Sequence, residues 1–120
     1  MLNFRFEGLD IWQRAISISN VLFDVAERAE EKRKYRFAEQ LNGAVMSITN
    51  NISEGSAASS TKEFARYLTI SRNSIFEVVN IMHIYEMRGI IDKTELNAHY
   101  NALFELSKMI YFFRKNILSK

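Results

Sequence analysis

Apolar residues recur at alternating intervals of three and four along almost the whole chain, and none of its 120 residues is a proline that would interrupt the pattern. Leu41, Val45, Ile48 and Ile52 illustrate the spacing in the middle of the chain. Such a repeat places apolar side chains on one face of an α-helix. No segment shows the sustained alternation of a half-buried strand bounded by turn residues. The sequence therefore predicts an all-α protein.

Four helices are predicted, over about residues 9–29, 35–54, 61–88 and 93–118. Gly55 is expected to end the second helix with a positive φ, and Gly89 to close the third. Gly43, inside the second helix, indicates either a close approach by another helix or a tolerated substitution. Capping boxes are expected at Ser60 with Glu63 and at Asp92 with Glu95. Because the connectors are short, we expect an antiparallel up-down-up-down four-helix bundle, with residues 1–120 as a single domain.

The composition is that of a folded globular chain, with 48% hydrophobic and 12% aromatic residues. The chain has no cysteine, which excludes disulfides and thiolate metal sites. Met1–Gly8 lacks the apolar segment of a secretory signal. The apolar runs are far shorter than the roughly 20 residues that span a bilayer. We therefore expect a cytoplasmic protein that has no membrane partner.

A polar stripe runs beside the apolar stripe of the second helix, where an ordinary surface helix turns to solvated lysine and glutamate. Its amide, hydroxyl and carboxylate groups suit fixed hydrogen-bond partners, and they belong to Gln40, Ser47, Asn51 and Glu54. Ser74 and Glu77 interrupt an apolar stripe of the third helix in the same way. We expect these groups to meet in a buried polar network that fixes how the second and third helices pack, and a place for the stripe at the interface between copies stays open as the alternative.

The chain offers few residues for catalysis or metal binding. It has only two histidines and no Glu-x-x-His pair of the kind that holds di-iron centres in four-helix bundles. His83 with Glu86, and Glu95 with His99, have helical spacing but supply one histidine each. The chain also lacks a Gly-x-Ser-x-Gly elbow and a glycine-rich phosphate loop. Glu54 and Glu77 would act as an acid–base pair only if they shared a pocket, so we predict a protein without catalytic residues, metal or cofactor.

Two local excesses of positive charge stand out against a net charge of only +2. They comprise Arg28, Lys32, Arg33, Lys34 and Arg36 around the first connector, and Lys108, Arg114, Lys115 and Lys120 near the C-terminus. Tyr35 and Phe37 interleave with the first cluster and could stack on unpaired bases. A solvated surface, with Phe37 in the core, is the simpler interpretation. Binding of RNA or DNA stays open as an alternative.

Apolar residues outside the core stripes point to an interaction partner. The first helix carries them on its flanking faces at Leu9, Trp12, Ile16, Val21 and Phe23. On the fourth helix Tyr111, Phe112 and Phe113 point in three directions, so at least one ring lies off the core. Large exposed apolar patches usually mark interfaces. We therefore expect self-association.

The signature residues resemble those of a known family. The motifs are Phe6-x-x-Leu9-x-x-Trp12-Gln13-x-Ala15, Gln40-Leu41, Ser47-Ile48-x-x-Asn51-Ile52-x-Glu54-Gly55, Phe64, Leu68 and Ser74-x-x-Glu77. They are similar to the four-helix-bundle proteins encoded in 23S ribosomal RNA intervening sequences, and to the accessory protein of diversity-generating retroelements. The resemblance implies an antiparallel bundle, commonly a homopentamer, without established catalytic activity. It also implies contacts with nucleic acid through basic surfaces, and with a reverse transcriptase in the retroelement relatives.

This chain departs from the family pattern where basic residues are often found. Asn42 and Gly43 follow Gln40-Leu41, and the small residues of Ser56–Ser60 follow Gly55. Both departures weaken the expectation of nucleic-acid binding. The sequence favours a non-enzymatic, self-assembling interaction module whose partners are copies of itself and, as further candidates, RNA, DNA or another protein.

Overall fold

A computed structural model of the chain describes residues 3–120 and confirms the all-α prediction, since that part of the chain contains four long helices and no strand. The helices are α1 (Asp10–Glu31), α2 (Tyr35–Ser56), α3 (Thr61–Met87) and α4 (Lys93–Leu118), preceded by a 3₁₀ turn over Arg5–Gly8. Each predicted helix boundary lies within two residues of the observed one. The expectation about Met1–Gly8 falls partly on Met1 and Leu2, which lie outside the described residues.

Contacts between helix ends establish the antiparallel order. Near the start of α2, the Phe37 carbonyl accepts a hydrogen bond from the Tyr85 hydroxyl near the end of α3 (2.9 Å). Near the end of α2, Gly55 faces Phe64 near the start of α3. The same reversal relates α3 to α4 and α1 to α4, through Ala65 with Arg114 and Arg28 with Glu95. Since residues 32–34 alone connect α1 to α2, the four helices run up, down, up and down.

The predicted apolar stripes form one buried cluster along the bundle axis. Leu22, Leu41, Leu68 and Leu103, one from each helix, are fully buried. Burying one such side chain contributes about 1.5–3 kcal/mol to folding. α1 packs extensively on α2 but only sparsely on α4, so the α1–α4 seam is the most open of the four.

Along residues 3–120, no helix combines the length and apolar character needed to cross a membrane.

The predicted capping role of Gly55 is wrong. α2 continues through Gly55 to Ser56, and Gly55 has no positive φ. A Cβ atom added at Gly55 would lie 2.7 Å from the Cβ of Tyr67 and 2.8 Å from Cδ1 of Phe64. Glycine is required here because the start of α3 approaches the backbone of α2 closely.

Gly43 shows the opposite situation. It is exposed, and no heavy atom outside its own helix backbone and chain neighbours lies within 4 Å of the position that its Cβ would occupy. Of the two explanations for this glycine, a close helix approach within the chain is therefore wrong.

The remaining helix ends follow local sequence signals. Gly89 ends α3 with φ of 74°, as predicted, and Asp92 and Glu95 form the predicted reciprocal capping box at the start of α4. Ser60 accepts a hydrogen bond from the Glu63 amide (3.1 Å), but the Glu63 carboxylate binds Arg66 instead of completing the box. These caps satisfy backbone groups that a helix end leaves without intrahelical partners.

Candidate interaction surfaces

Three residues of the polar stripe form a hydrogen-bonded chain between α2 and α3. The hydroxyls of Ser47 and Ser74 lie 2.7 Å apart, and Ser74 donates its proton to the Ile70 carbonyl (3.1 Å). Ser47 is therefore the donor to Ser74, since each hydroxyl has a single proton. The Asn51 amide in turn donates to the Ser47 hydroxyl (3.1 Å) and carbonyl (2.8 Å). The bonds share one direction, from Asn51 through Ser47 and Ser74 to the α3 backbone.

Two further hydroxyls join the same pair of helices. Ser71 of α3 is fully buried and donates to the Ile48 carbonyl of α2 (2.8 Å). Tyr85 donates to the Phe37 carbonyl, and its burial raises the pKa of the phenol to about 12. These two bonds could not be predicted from the sequence, because each acceptor is a backbone carbonyl whose position depends on the register between the helices. The α2–α3 pair is thus bonded at three levels along its length.

Gln40, Glu54 and Glu77 are not part of this network, so the six residues do not form one buried element within the single bundle. Their side chains are exposed, which allows each group to keep its hydration. Ser47 and Ser74 lie at the same level of the bundle. Glu54 lies seven residues beyond Ser47 toward one end of the bundle, and Glu77 lies three residues beyond Ser74 toward the other end, because α2 and α3 are antiparallel. The two carboxylates are therefore separated by about 15 Å along the bundle at 1.5 Å per residue. They do not form an acid–base pair.

The basic cluster around the first connector is partly neutralised. Arg28 forms an ion pair with Glu95 at the start of α4, and this hydrogen bond raises the pKa of the guanidinium and lowers that of the Glu95 carboxyl. The Lys34 ammonium lies 5.7 Å from the centre of the Phe37 ring. Lys32, Arg33 and Arg36 are exposed. The structure thus leaves three of these five cations directed to solvent.

The second basic cluster is divided in a similar way. Arg114 donates to the Ala65 carbonyl of α3 (3.0 Å), so it serves to join α3 and α4. Lys108 lies 3.4 Å from Glu105 and 5.3 Å from the centre of the Phe104 ring. Lys115 and Lys120 are exposed. They lie at the opposite end of the bundle from the first connector, so the structure does not combine the two clusters into one surface.

The candidate metal ligands remain dispersed. Glu95 is engaged with Arg28, and burial lowers the pKa of the neighbouring His99 imidazole. His83 packs edge-on against Tyr100, with ring centres 6.3 Å apart. Within residues 3–120, no three histidine, aspartate or glutamate side chains are grouped closely enough to hold a metal ion.

An apolar groove lies between α3 and α4 on the surface of the bundle. It has a volume of about 280 Å³ and is lined by Arg72, Ile75, Phe76, Val79, Tyr100, Leu103, Phe104, Ser107 and Lys108, which together we call the aromatic groove. Phe76 is 63% exposed and Phe104 52% exposed, whereas Ile75 and Leu103 are buried and form its floor. Tyr100 stacks on Phe104 with an interplanar angle of 6°. Three large rings therefore surround an aliphatic floor and remain accessible to a partner.

Arg72 holds the two walls of the aromatic groove together. Its Nε donates to both the carbonyl and the hydroxyl of Ser107 on α4 (3.2 Å each). Its guanidinium lies 5.6 Å from the centre of the Phe76 ring and 5.2 Å from that of Tyr111. Such cation–π contacts contribute about 0.5–1 kcal/mol at exposed sites. Sequence reasoning missed this site, although the i, i+4 pair Tyr100 and Phe104 off the core stripe was a signal that could have shown it.

The fold and these surfaces define a small antiparallel four-helix bundle with a bonded α2–α3 pair and an accessible apolar groove. The family model described as 23S rRNA-intervening sequence protein matches residues 7–112, and the chain belongs to this family. The match confirms the resemblance drawn from the motifs and spans all four helices. Among curated proteins, no match to this chain is found.

Proposed function

We propose that this protein is a non-enzymatic, self-assembling interaction module. The observation that carries the proposal is the aromatic groove, where Phe76, Tyr100 and Phe104 expose large rings around an aliphatic floor. Contiguous exposed apolar surface of this kind usually serves an interface, because covering it removes apolar area from water. The resemblance to family members that form homopentamers supports assembly into a ring of the same kind.

The bonded α2–α3 pair suits a scaffold that presents surfaces in a fixed geometry. Hydroxyl donors at three levels restrict sliding of one helix along the other, since any shift would leave buried polar groups without partners. In this account Ser47, Asn51 and Ser74 have a structural role and take no part in turnover.

We place the assembled protein in the cytoplasm, where copies of itself are its first partners and another protein is a further candidate.

Multi-angle light scattering on the purified chain tests the proposal. We expect a molar mass that is a whole multiple of the 14.0 kDa chain mass and that falls on dilution only if the complex is weak. A molar mass of a single chain at every concentration, including the highest that stays soluble, would refute self-assembly.

RNA or DNA binding is the alternative function, and the exposed cations at the first connector favour it. Lys32, Arg33 and Arg36 point to solvent at one end of the bundle, and a ring of copies would repeat this cluster around its rim. Phosphate contacts would make affinity fall steeply with salt. Filter binding to a structured RNA at two salt concentrations tests this function. Binding that Lys32→Glu and Arg36→Glu remove would support it, and no retention of RNA at the lower salt would exclude it.

A further inference from the structure

We infer that the aromatic groove receives the outer face of the α1–α2 pair of a second copy, so that copies associate head to tail. The inference rests on the self-assembly proposed above and names the two surfaces that meet. The second surface, which we call the acidic ridge, consists of Ile16, Asn20, Phe23 and Glu27 on α1 and Glu39, Asn42 and Met46 on α2.

Helix geometry places these residues on one face. Arg28 pairs with Glu95 and Ser17 lies beside Met109, so these two residues mark the side of α1 that faces α4. Successive residues of a helix are turned by about 100°, which puts Ile16 and Glu27 on the side of α1 away from α4. Ser47 marks the α3 side of α2, and Met46 is turned away from it. Because residues 32–34 join α1 directly to α2, Ile16 and Met46 lie within about two helical turns of each other along the bundle.

The acidic ridge offers apolar side chains that suit the floor of the aromatic groove. Ile16 is 40% exposed and Met46 50% exposed, while Phe23 is half-buried against the core. The groove presents Ile75 and Leu103 below its rings, and its volume of about 280 Å³ admits an aliphatic side chain such as that of Met46. Methionine adapts readily to irregular apolar surfaces and packs well against aromatic rings.

Charge complementarity favours a contact in which the ridge of one copy occupies the groove of another. A contact between the grooves of two copies is less favourable. Apart from the basic connector of residues 32–34 at one end of the bundle, α1 and α2 together carry seven acidic and three basic residues, a net charge of −4. α3 and α4 carry five acidic and seven basic residues, a net charge of +2. Arg72 and Lys108 line the groove, whereas Glu27 and Glu39 lie on the ridge. Contact between two grooves, or between two ridges, would instead bring like charges together, which is unfavourable at an interface.

The two surfaces lie on opposite sides of the bundle, because α1–α2 and α3–α4 are opposite helix pairs in the up-down-up-down order. Each copy therefore uses one surface to contact the copy before it and the other to contact the copy after it. Such heterologous contacts produce a closed ring when the rotation between copies closes, and a filament when it does not. The aromatic groove of every copy in a ring would be filled by its neighbour.

A mixing experiment tests this pairing. Phe104→Asp introduces a charge into the apolar groove, Met46→Lys introduces on the ridge a charge that Arg72 and Lys108 of the groove would repel, and both positions are about half exposed, so the fold should tolerate them. Each variant alone has only one working surface and should be monomeric. An equimolar mixture should form a dimer at twice the 14.0 kDa chain mass, because the intact ridge of one variant fits the intact groove of the other. The control Val21→Asp changes a side chain that is 51% exposed on α1 but lies outside both surfaces, and it should assemble like the wild type.

The outcomes separate this inference from the proposed function. A wild-type monomer would refute self-assembly itself. A wild-type oligomer that Met46→Lys leaves intact, or a mixture that stays monomeric, would overturn the head-to-tail pairing and leave self-assembly standing. Circular dichroism of each variant establishes that it is folded, and Ile16→Lys provides a second ridge variant if Met46→Lys does not fold.

Discussion

At the scale of single residues, the two glycines of α2 occupy opposite environments within one helix. The position of a Cβ on Gly55 is filled by Phe64 and Tyr67, whereas the position on Gly43 is open. The sequence of α2 does not distinguish the two glycines, because the difference between their environments is caused by side chains of α3. The glycines thus provide a matched pair for testing how closely the two helices pack.

Gly55→Ala should destabilise the protein, since the methyl group forces the start of α3 away from α2. Overpacking of this kind typically lowers the free energy of unfolding by about 1–3 kcal/mol. Gly43→Ala should raise it by about 0.5–1 kcal/mol, because alanine is the better helix former and meets no neighbour. Urea denaturation followed by circular dichroism measures both changes. Equal effects of the two substitutions would contradict the close approach at Gly55.

Tyr85 should make stability depend on pH in the alkaline range. Burial favours the neutral phenol in the folded state and raises its pKa from the ordinary value of 10.0 to about 12. The folded state therefore holds this proton more tightly, and the resulting stability is complete below pH 10 and is lost as the pH rises toward 12. Tyr85→Phe should remove this part of the pH dependence, together with about 1 kcal/mol from the hydrogen bond to Phe37. Urea titrations of both proteins between pH 8 and pH 11 would contradict the account if the two lost stability in parallel.

At the scale of the elements, the α2–α3 pair is held by directional bonds as well as by apolar packing. Ser47 bonds to Ser74 in a chain that ends on the Ile70 carbonyl, and Ser71 bonds directly to the backbone of α2. Buried hydroxyls contribute little net energy when they are bonded but are costly to leave without a partner. The network therefore determines the register between the two helices more than it adds stability.

A double-mutant cycle should reveal the coupling between Ser47 and Ser74. Each single change to alanine leaves the other hydroxyl short of a partner, so each should cost about 1 kcal/mol, and the double variant should cost less than the sum. Thr69→Ala is the matched control on α3, because the Thr69 hydroxyl bonds only to the backbone of its own helix. The measurement is the free energy of unfolding of all four cycle members, and strict additivity would contradict a direct bond.

How much the sequence predicts depends on whether a feature is local or joins two helices. The apolar period and the capping residues placed every helix boundary within two residues, because these signals act within one or two turns. The stripe on α2 indicated that Ser47 and Ser74 would meet, but it could not show that Glu54 and Glu77 face solvent. That outcome depends on the register and on the rotation of each helix. For the same reason, the carbonyl acceptors of Tyr85, Arg114 and Ser71 became known only from the structure.

At the scale of the whole molecule, the bundle has two unlike sides. Apart from their basic connector, α1 and α2 carry a net negative charge and expose Ile16 and Met46, whereas α3 and α4 carry a net positive charge and expose the rings of the aromatic groove. Neither asymmetry is needed for folding of the single chain, whose core is already closed by the four apolar stripes. Both are explained if each side faces a neighbouring copy. The central claim is therefore that the aromatic groove is covered in the assembled protein.

Thiol labelling of a single cysteine in the groove tests this claim most directly, because the chain has no cysteine of its own. Val79→Cys places a thiol of similar size in the groove wall, and Val21→Cys places one on a surface outside the proposed interface. We expect the labelling rate of Val79→Cys to fall as the protein concentration rises and copies assemble, while the rate of Val21→Cys stays constant. A labelling rate of Val79→Cys that is the same at low and high protein concentration would contradict the account.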